Sequence, residues 1–157
     1  MAVSRTTVVP LLAVTFIFAV VGLGLSSALV AKTSFSTHTS RAVLVQSIFA
    51  CSWTVFFSLL FLITSFVLAR NSFFSAGVVG IFMFLAFLQL IVAAGSSVSL
   101  YKTEGPAYNK AVHRAWLGIS FVTAFMALFT TVAAFLNYVS SKAVEPTHAN
   151  KEEEVHF

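Results

Sequence analysis

Four long apolar runs alternate with short polar connections along the chain. Residues 6–31, 42–69, 77–100 and 115–141 contain no Asp, Glu, Lys, Arg or His. At 1.5 Å per residue, each run is long enough to cross the ~30 Å hydrocarbon core of a bilayer as an α-helix. Strands of a membrane barrel need only about 10 residues of alternating polarity. These runs are longer and uniformly apolar, so the pattern predicts four transmembrane helices.

The predicted fold class is an all-α membrane protein with a four-transmembrane-helix antiparallel bundle. The spans are placed at about 7–31, 43–69, 76–101 and 115–141, in one domain that covers residues 6–141. A very short connection joins the second and third spans, so these two are expected to be antiparallel neighbours. Four spans also place both ends of the chain on the same side of the membrane.

The two ends of the chain each raise an alternative. The first run could be a retained helix or a cleaved signal peptide, and the apolar region of a signal peptide is about 7–15 residues long. The uncharged run here has 26 residues, which favours a retained helix. The end of the chain, residues 142–157, is polar and contains Pro146 and an acidic run at 152–154. Such a segment cannot bury enough apolar surface to fold, so we predict a disordered tail.

Small, weakly polar residues recur at helical spacing within the third run. A face of this kind allows neighbouring membrane helices to approach closely, while Phe, Leu, Ile and Val face lipid. The first run carries a matching small-xxx-small pair. The packing seam predicted from both runs consists of Gly22, Ser26, Ala86, Gln89, Ala93, Ser96 and Ser97. In the fourth run, Gly118, Ala127, Thr131 and Ala134 offer further small positions for helix contacts.

Several other side chains in the runs carry a specific expectation. Trp116 and Tyr138 lie at opposite ends of the fourth run, where aromatic residues anchor helices at the membrane interface. Cys51 lies inside the second run, either as a small apolar filler or as a palmitoylation site. Gln89 is the strongly polar residue near the centre of a span. It is expected to bond another helix, with the lining of a pore or lipid slot as the alternative.

Composition supports the membrane assignment and excludes several classes. The chain is 59% hydrophobic and 9% charged, whereas soluble domains carry about 25% charged residues. A single cysteine excludes an intramolecular disulfide, a multi-cysteine metal site and a CxxC redox pair. The net charge of +4 is spread along connections and ends. Nucleic acid is therefore not an expected partner, because binding it requires a clustered basic face.

The sequence contains no recognisable catalytic, cofactor-binding or metal-binding motif. Ionisable residues inside a span usually carry protons, ions or substrates, and none falls inside the predicted spans. Their absence argues against a proton-coupled pump or an intramembrane protease. A lipid-modifying enzyme would need clustered His or acidic residues at a membrane face, and only His113 and Glu104 share a predicted loop. We therefore expect a protein that is not an enzyme and takes no cofactor or metal.

The layout resembles that of MARVEL-domain membrane proteins, especially the small fungal type. The resemblance lies in the four spans, the short middle connection, the short tail and a third helix that ends in AAGSSVSLY. The fourth span, AWLGISFVTAFMALFTTVAAFL, is similar in texture to the last helix of that family. The resemblance implies a bundle with both ends in the cytoplasm, and work in membrane apposition, vesicle trafficking or plasma-membrane microdomains. The basic residues of the connections do not set an orientation by themselves.

The expectation for function is a non-enzymatic, multi-pass protein of the plasma membrane or secretory-pathway membranes. It would act through helix packing and lateral association, with the lipid bilayer and either further copies or other membrane proteins as partners. The alternative is a small channel or transporter, or an accessory subunit of a membrane complex. A polar path through the bundle, built from Gln89 and the Ser and Thr positions, would favour that alternative.

Overall fold

The computed structural model describes residues 5–32, 38–67, 76–103 and 110–153, and all of them are helical. In chain order the helices are α1 (Arg5–Lys32), α2 (His38–Val67), α3 (Ala76–Thr103) and α4 (Lys110–Glu153). Each is long and apolar enough to cross a membrane, over Thr7–Ala31, Arg41–Phe66, Ala76–Val98 and Lys110–Ser140 respectively. The predicted all-α, four-helix fold is confirmed.

The helices form a ring in which each one packs against the next. The main contacts join α1 to α2, α2 to α3, α3 to α4 and α4 back to α1, and the α3–α4 contact is the most extensive. Residues from the beginning of α2 pack with residues from the end of α3, as Leu44 and Ala93 do in one core cluster. Neighbouring helices in the ring therefore run antiparallel, as short connections require.

The buried core consists of two clusters, one towards each end of the bundle. The first, which we call the Trp116 cluster, contains Leu29, Leu44, Ala50, Cys51, Leu90, Ala93, Trp116 and Ala124. The second, the Phe61 cluster, contains Leu12, Phe61, Val79, Met83, Ala127 and Ala134. Alanines fill much of both clusters, so the helix axes lie close together and only a few large side chains cross the interior.

The outer surface is lined by large apolar side chains. Phe66 is 74% exposed, Ile81 62% and Phe129 58%, and each of the four helices carries further exposed Val, Ile, Leu or Phe residues. A water-soluble protein does not expose a surface of this extent, because such patches drive association. Large residues outside and small residues inside are the arrangement expected of helices whose solvent is lipid.

Helix α4 differs from the sequence-based expectation at both ends. It begins at Lys110 rather than near residue 115, and it continues as helix to Glu153. Residues 142–153, predicted to be disordered, are therefore helical, and residues 154–157 lie outside the described part of the chain. Residues 142–153 are rich in Lys, Ala and Glu, which are among the strongest helix formers.

Candidate functional site

The predicted packing seam largely faces the interior of the bundle. Gly22, Ser26, Ala86, Ala93 and Ser97 are buried, whereas Gln89 and Ser96 are partly exposed. Small side chains at these positions allow α1 and α3 to approach their neighbours closely. Five of the seven residues of the predicted seam therefore lie in the interior of the bundle.

Gly22 marks the closest approach among the glycines whose surroundings are described. A Cβ atom added there would lie 3.3 Å from Sγ of Cys51 and 3.6 Å from Cγ2 of Ile119. Gly22 thus allows α1 to contact α2 and α4 at one level. Gly24 and Gly118 are exposed and have no atom within 4 Å of an added Cβ. The expectation that Gly118 serves a helix contact is therefore wrong, because its face points to lipid.

Most serine and threonine hydroxyls within the bundle bond to their own helix, whereas the buried hydroxyl of Ser120 has no hydrogen-bond partner. Thr54, for example, donates to the carbonyl of Ala50 at 2.8 Å, and Thr123 donates to that of Ile119 at 2.7 Å. The same pattern, three or four residues back, holds for Thr15, Ser26, Ser47, Ser58, Thr64, Ser65, Ser96, Ser97, Thr130 and Thr131. Each of these hydroxyls has its hydrogen-bond partner in the helix that carries it. It can therefore be buried in the interior without a partner on a neighbouring helix.

The buried small residues continue on α4, where the sequence already indicated Ala127 and Ala134, and on α2, where it indicated none. On α2 the buried face carries Ser47, Cys51, Thr54 and Ser58. On α4 the buried small residues are Ser120, Thr123, Ala124, Ala127, Thr130 and Ala134. The available signal was the recurrence of small residues at three- and four-residue spacing, which is the period of one helix face.

Trp116 lies in the interior of the bundle and does not act as an interface anchor. Its side chain is fully buried in the Trp116 cluster, and its indole Nε1 has no hydrogen-bond partner of good geometry. The indole and the hydroxyl of Ser26 both lie beside the thiol of Cys51. A position near the end of a span does not reveal whether a ring faces lipid or protein. Tyr138 is half-buried, and its anchoring role stays a prediction.

His113 belongs to the bundle and not to a solvated loop. It lies in the first turn of α4, is fully buried, and its ring centroid lies 6.0 Å from that of Trp116 in an edge-on arrangement. Residues 113, 116 and 120 are spaced by three and four, so one helix face carries all three inward. Glu104, the other residue weighed for a lipid-modifying site, lies outside the described residues.

Gln89 and Trp53 bring two buried polar atoms to the α2–α3 contact. Oε1 of Gln89 and Nε1 of Trp53 are both buried without a hydrogen-bond partner. The rings of Phe57 and Phe82 stack across this contact with centroids 4.5 Å apart. Because the two helices are antiparallel, Trp53, one turn before Phe57, lies near the level of Gln89. The expected bond from Gln89 to another helix is not formed at Oε1.

Aromatic rings follow one stripe of α2 towards α3. Centroids are 6.0 Å apart for Phe49 and Trp53, 4.6 Å for Trp53 and Phe57, and 6.0 Å for Phe57 and Phe61. Phe82 of α3 meets the last two of these rings. Tilted and stacked pairs at these distances are favourable beyond their buried area. They fill the α2–α3 contact with large rings, whereas the other contacts rely more on small residues.

An open apolar groove of about 440 Å³ lies on the outside of the α3–α4 contact. It is lined by Gly77, Gly80, Ile81, Phe84, Leu85, Leu128, Thr131, Val132, Phe135 and Leu136. At its base the backbones are close, since a Cβ on Gly80 would lie 3.7 Å from both Cβ of Ala134 and the carbonyl oxygen of Thr131.

Comparison of the chain with protein-family models, with curated proteins and with solved structures finds no match. The protein is an integral, multi-pass membrane protein. That statement rests on its four apolar helices. Within the described helices, no three His, Cys, Asp or Glu side chains are grouped closely enough to hold a metal ion.

Proposed function

We propose that this protein organises its surrounding membrane laterally, through packing with lipids and with other membrane helices, and catalyses no reaction. The observation that carries the proposal is the division of the bundle into a buried interior and a large apolar exterior. Small residues are used inside, where they hold the four helices together. The surface left for interaction is therefore the lipid-facing one, rich in exposed Phe, Val, Ile and Leu side chains.

The interior favours this role over conduction. Large side chains cross it at both ends, with Trp116, Leu29 and Leu44 in one cluster and Phe61, Met83 and Leu12 in the other. The bonded hydroxyls between them are satisfied by their own helices and offer few free groups to replace the hydration of an ion. A permeation path needs polar groups that face a common lumen.

The resemblance to MARVEL-domain proteins suggests where this organising activity is used. We place it in the plasma membrane or secretory-pathway membranes, in membrane apposition, vesicle trafficking or microdomain formation, with both chain ends in the cytoplasm. Partners would be bilayer lipids together with further copies of the chain or other membrane proteins. A bundle of four apolar helices is the fold that the resemblance implies.

Lateral mobility and co-purification test the proposal together. The full chain, fused to a fluorescent protein, is tracked in cells beside a freely diffusing lipid-anchored fluorescent protein as control. We expect the chain to occupy confined patches and to bring further copies or other membrane proteins with it into polymer-bounded lipid discs. A distribution as uniform and mobile as the control, with discs that contain one copy alone, would contradict the proposal.

A channel, or a subunit of one, is the second candidate, and the buried carbonyl oxygen of Gln89 favours it. An unpartnered polar atom near the middle of a span is available to a solute that passes between α2 and α3. Ion flux into liposomes is compared for wild type, Gln89→Leu and the control Gln46→Leu, which changes an exposed amide of α2. Flux that only Gln89→Leu abolishes would support conduction, and flux equal to that of empty liposomes would remove this candidate.

A further inference from the structure

We propose that the α3–α4 groove binds one acyl chain of a membrane phospholipid and retains it longer than lipids at the rest of the surface. This inference goes beyond the proposed function and does not depend on it. It follows from the chemistry of the groove, its shape and its depth in the membrane.

The chemistry of the groove selects an occupant without polar groups. No lining residue carries a charge. The hydroxyl of Thr131, the one polar side chain in the lining, already donates to the carbonyl of Ala127 at 2.9 Å. A polar occupant would therefore leave its own groups unpaired, which is costly in a hydrocarbon environment. An acyl chain has no such groups and matches the lining along its whole length.

The shape of the groove suits a thin, flexible chain. The lining combines the less exposed Gly77, Gly80 and Thr131 with the exposed rings of Phe84 and Phe135. The volume of about 440 Å³ falls within the range of ~300–1,000 Å³ that is typical of small-molecule sites. In lipid the gain over bulk comes from closer van der Waals contact, and a groove supplies more of it than a flat helix face.

A helix from a second copy does not fit the same surface. Ala76 and Gly80 form a small-xxx-small pair at the start of α3, but the residues one turn after Gly77 and Gly80 are the large Ile81 and Phe84. Ile81 is 62% exposed and Phe84 43% exposed, so both project towards an approaching backbone.

The position of the groove assigns the chain to one leaflet. The lining of α3 runs from Gly77 to Leu85, near the start of a span that begins at Ala76. Eight steps of 1.5 Å give a depth of about 12 Å, close to the ~15 Å of hydrocarbon in one leaflet. The antiparallel α4 contributes its second half, Leu128–Leu136, at the same level. The bound lipid therefore belongs to the leaflet on the side where α3 begins and α4 leaves the membrane.

Photo-crosslinking locates the acyl chain directly. The full chain is placed in phosphatidylcholine nanodiscs with a trace of phosphatidylcholine that carries a diazirine on one acyl chain. After illumination, adducts are mapped on peptides by mass spectrometry. We expect wild-type adducts to concentrate on Ile81, Leu85 and Leu128. Adducts spread evenly over the exposed faces of all four helices would overturn the proposal.

Variants then separate groove binding from general lipid contact. Thr131→Phe fills the base from α4 and Gly77→Leu fills it from α3, and both should lose the concentration of adducts. Thr131→Val keeps the volume, and Val92→Phe adds a ring to a lipid-facing position of α3 outside the groove, so both should retain it. Persistence of the adducts in the two filled variants contradicts the assignment. If one filled variant does not fold, as judged by gel filtration, the other decides.

A second copy in the groove is tested in the same discs at higher protein density. Leu85→Cys is introduced with Cys51→Ala, so that the new thiol is the only one in the chain. We expect no disulfide-linked dimer on oxidation, because the groove holds lipid. A dimer formed through residue 85, together with loss of the lipid adducts, would show that a neighbouring copy occupies the groove. That result would overturn the inference.

Discussion

The contact at Gly22 gives the sharpest test of how this bundle is held together. The perturbation is Gly22→Leu, which adds a side chain where the first added atom already lies 3.3 Å from Sγ of Cys51 and 3.6 Å from Cγ2 of Ile119. The three further carbons have to displace α1 from α2 and α4. Overpacking of this kind costs typically about 1–3 kcal/mol, and occasionally more. We expect a loss of unfolding free energy in that range.

The matched control is Gly24→Leu, one half-turn further along α1. An added Cβ at Gly24 has no atom within 4 Å, so the leucine projects into lipid. Its expected effect is within about 0.5 kcal/mol, as for surface changes away from specific contacts. Reversible unfolding in bicelles, followed by steric trapping with a tag on each end of the chain, measures both variants. Equal stability of the two would refute the close approach of α1.

A double-mutant cycle identifies the atom responsible. Gly22→Ala is measured in the wild-type background and in Cys51→Ala, which removes the sulfur that the new methyl group meets. We expect Gly22→Ala to be less harmful, or favourable, when the sulfur is absent, with a coupling of about 0.5–3 kcal/mol. A coupling of zero would mean that α1 is limited by another contact, such as that with Ile119.

Three further outcomes follow from the interior. Trp116→Ala leaves a cavity in the Trp116 cluster and should cost about 3–5 kcal/mol. Trp116→Phe keeps an aromatic ring in the cluster and should cost less than about 1.5 kcal/mol. Bicelle unfolding measures both variants, and a Phe variant as unstable as the Ala variant would contradict this expectation. Thr54→Val keeps the shape of the side chain and loses only a hydrogen bond within α2, so the free energy of unfolding should fall by less than about 1 kcal/mol. A larger loss of stability would indicate a hydrogen bond to another helix. Replacement of Phe57 and Phe82 by Leu, singly and together, should give a coupling of about 0.5–1.5 kcal/mol; additive effects would mean that the stacked rings do not interact.

The sequence predicts the number, type and approximate limits of the helices, because the ability to cross a bilayer depends mainly on the length and polarity of a continuous segment. Long uncharged runs satisfy it, and the small residues of α1 and α3 show which faces pack. The first residues of α4 were not predicted to be helical, because Lys110 and Arg114 gave the segment the composition of a loop. Only the spacing of His113 with Trp116 pointed to an inward face.

Other features depend on the rotation and register of the helices relative to one another, which cannot be predicted from the pattern of a single sequence. Whether Trp116 faces lipid or protein depends on the rotation of α4 about its axis. The outer groove arises from two glycines of α3 and a threonine of α4, which are separated by about fifty residues in the chain and become neighbours only in the antiparallel pair. Likewise, the pairing of Phe57 with Phe82 requires the register between α2 and α3.

The self-satisfied hydroxyls have a consequence for assembly. Since Thr54, Thr123 and their counterparts are bonded within one helix, pulling two helices apart leaves those bonds intact. A helix can then pack against the same faces of a second molecule with no change in hydrogen bonding. The equilibrium between a closed monomer and a helix-swapped dimer is therefore set by connection length and shape complementarity.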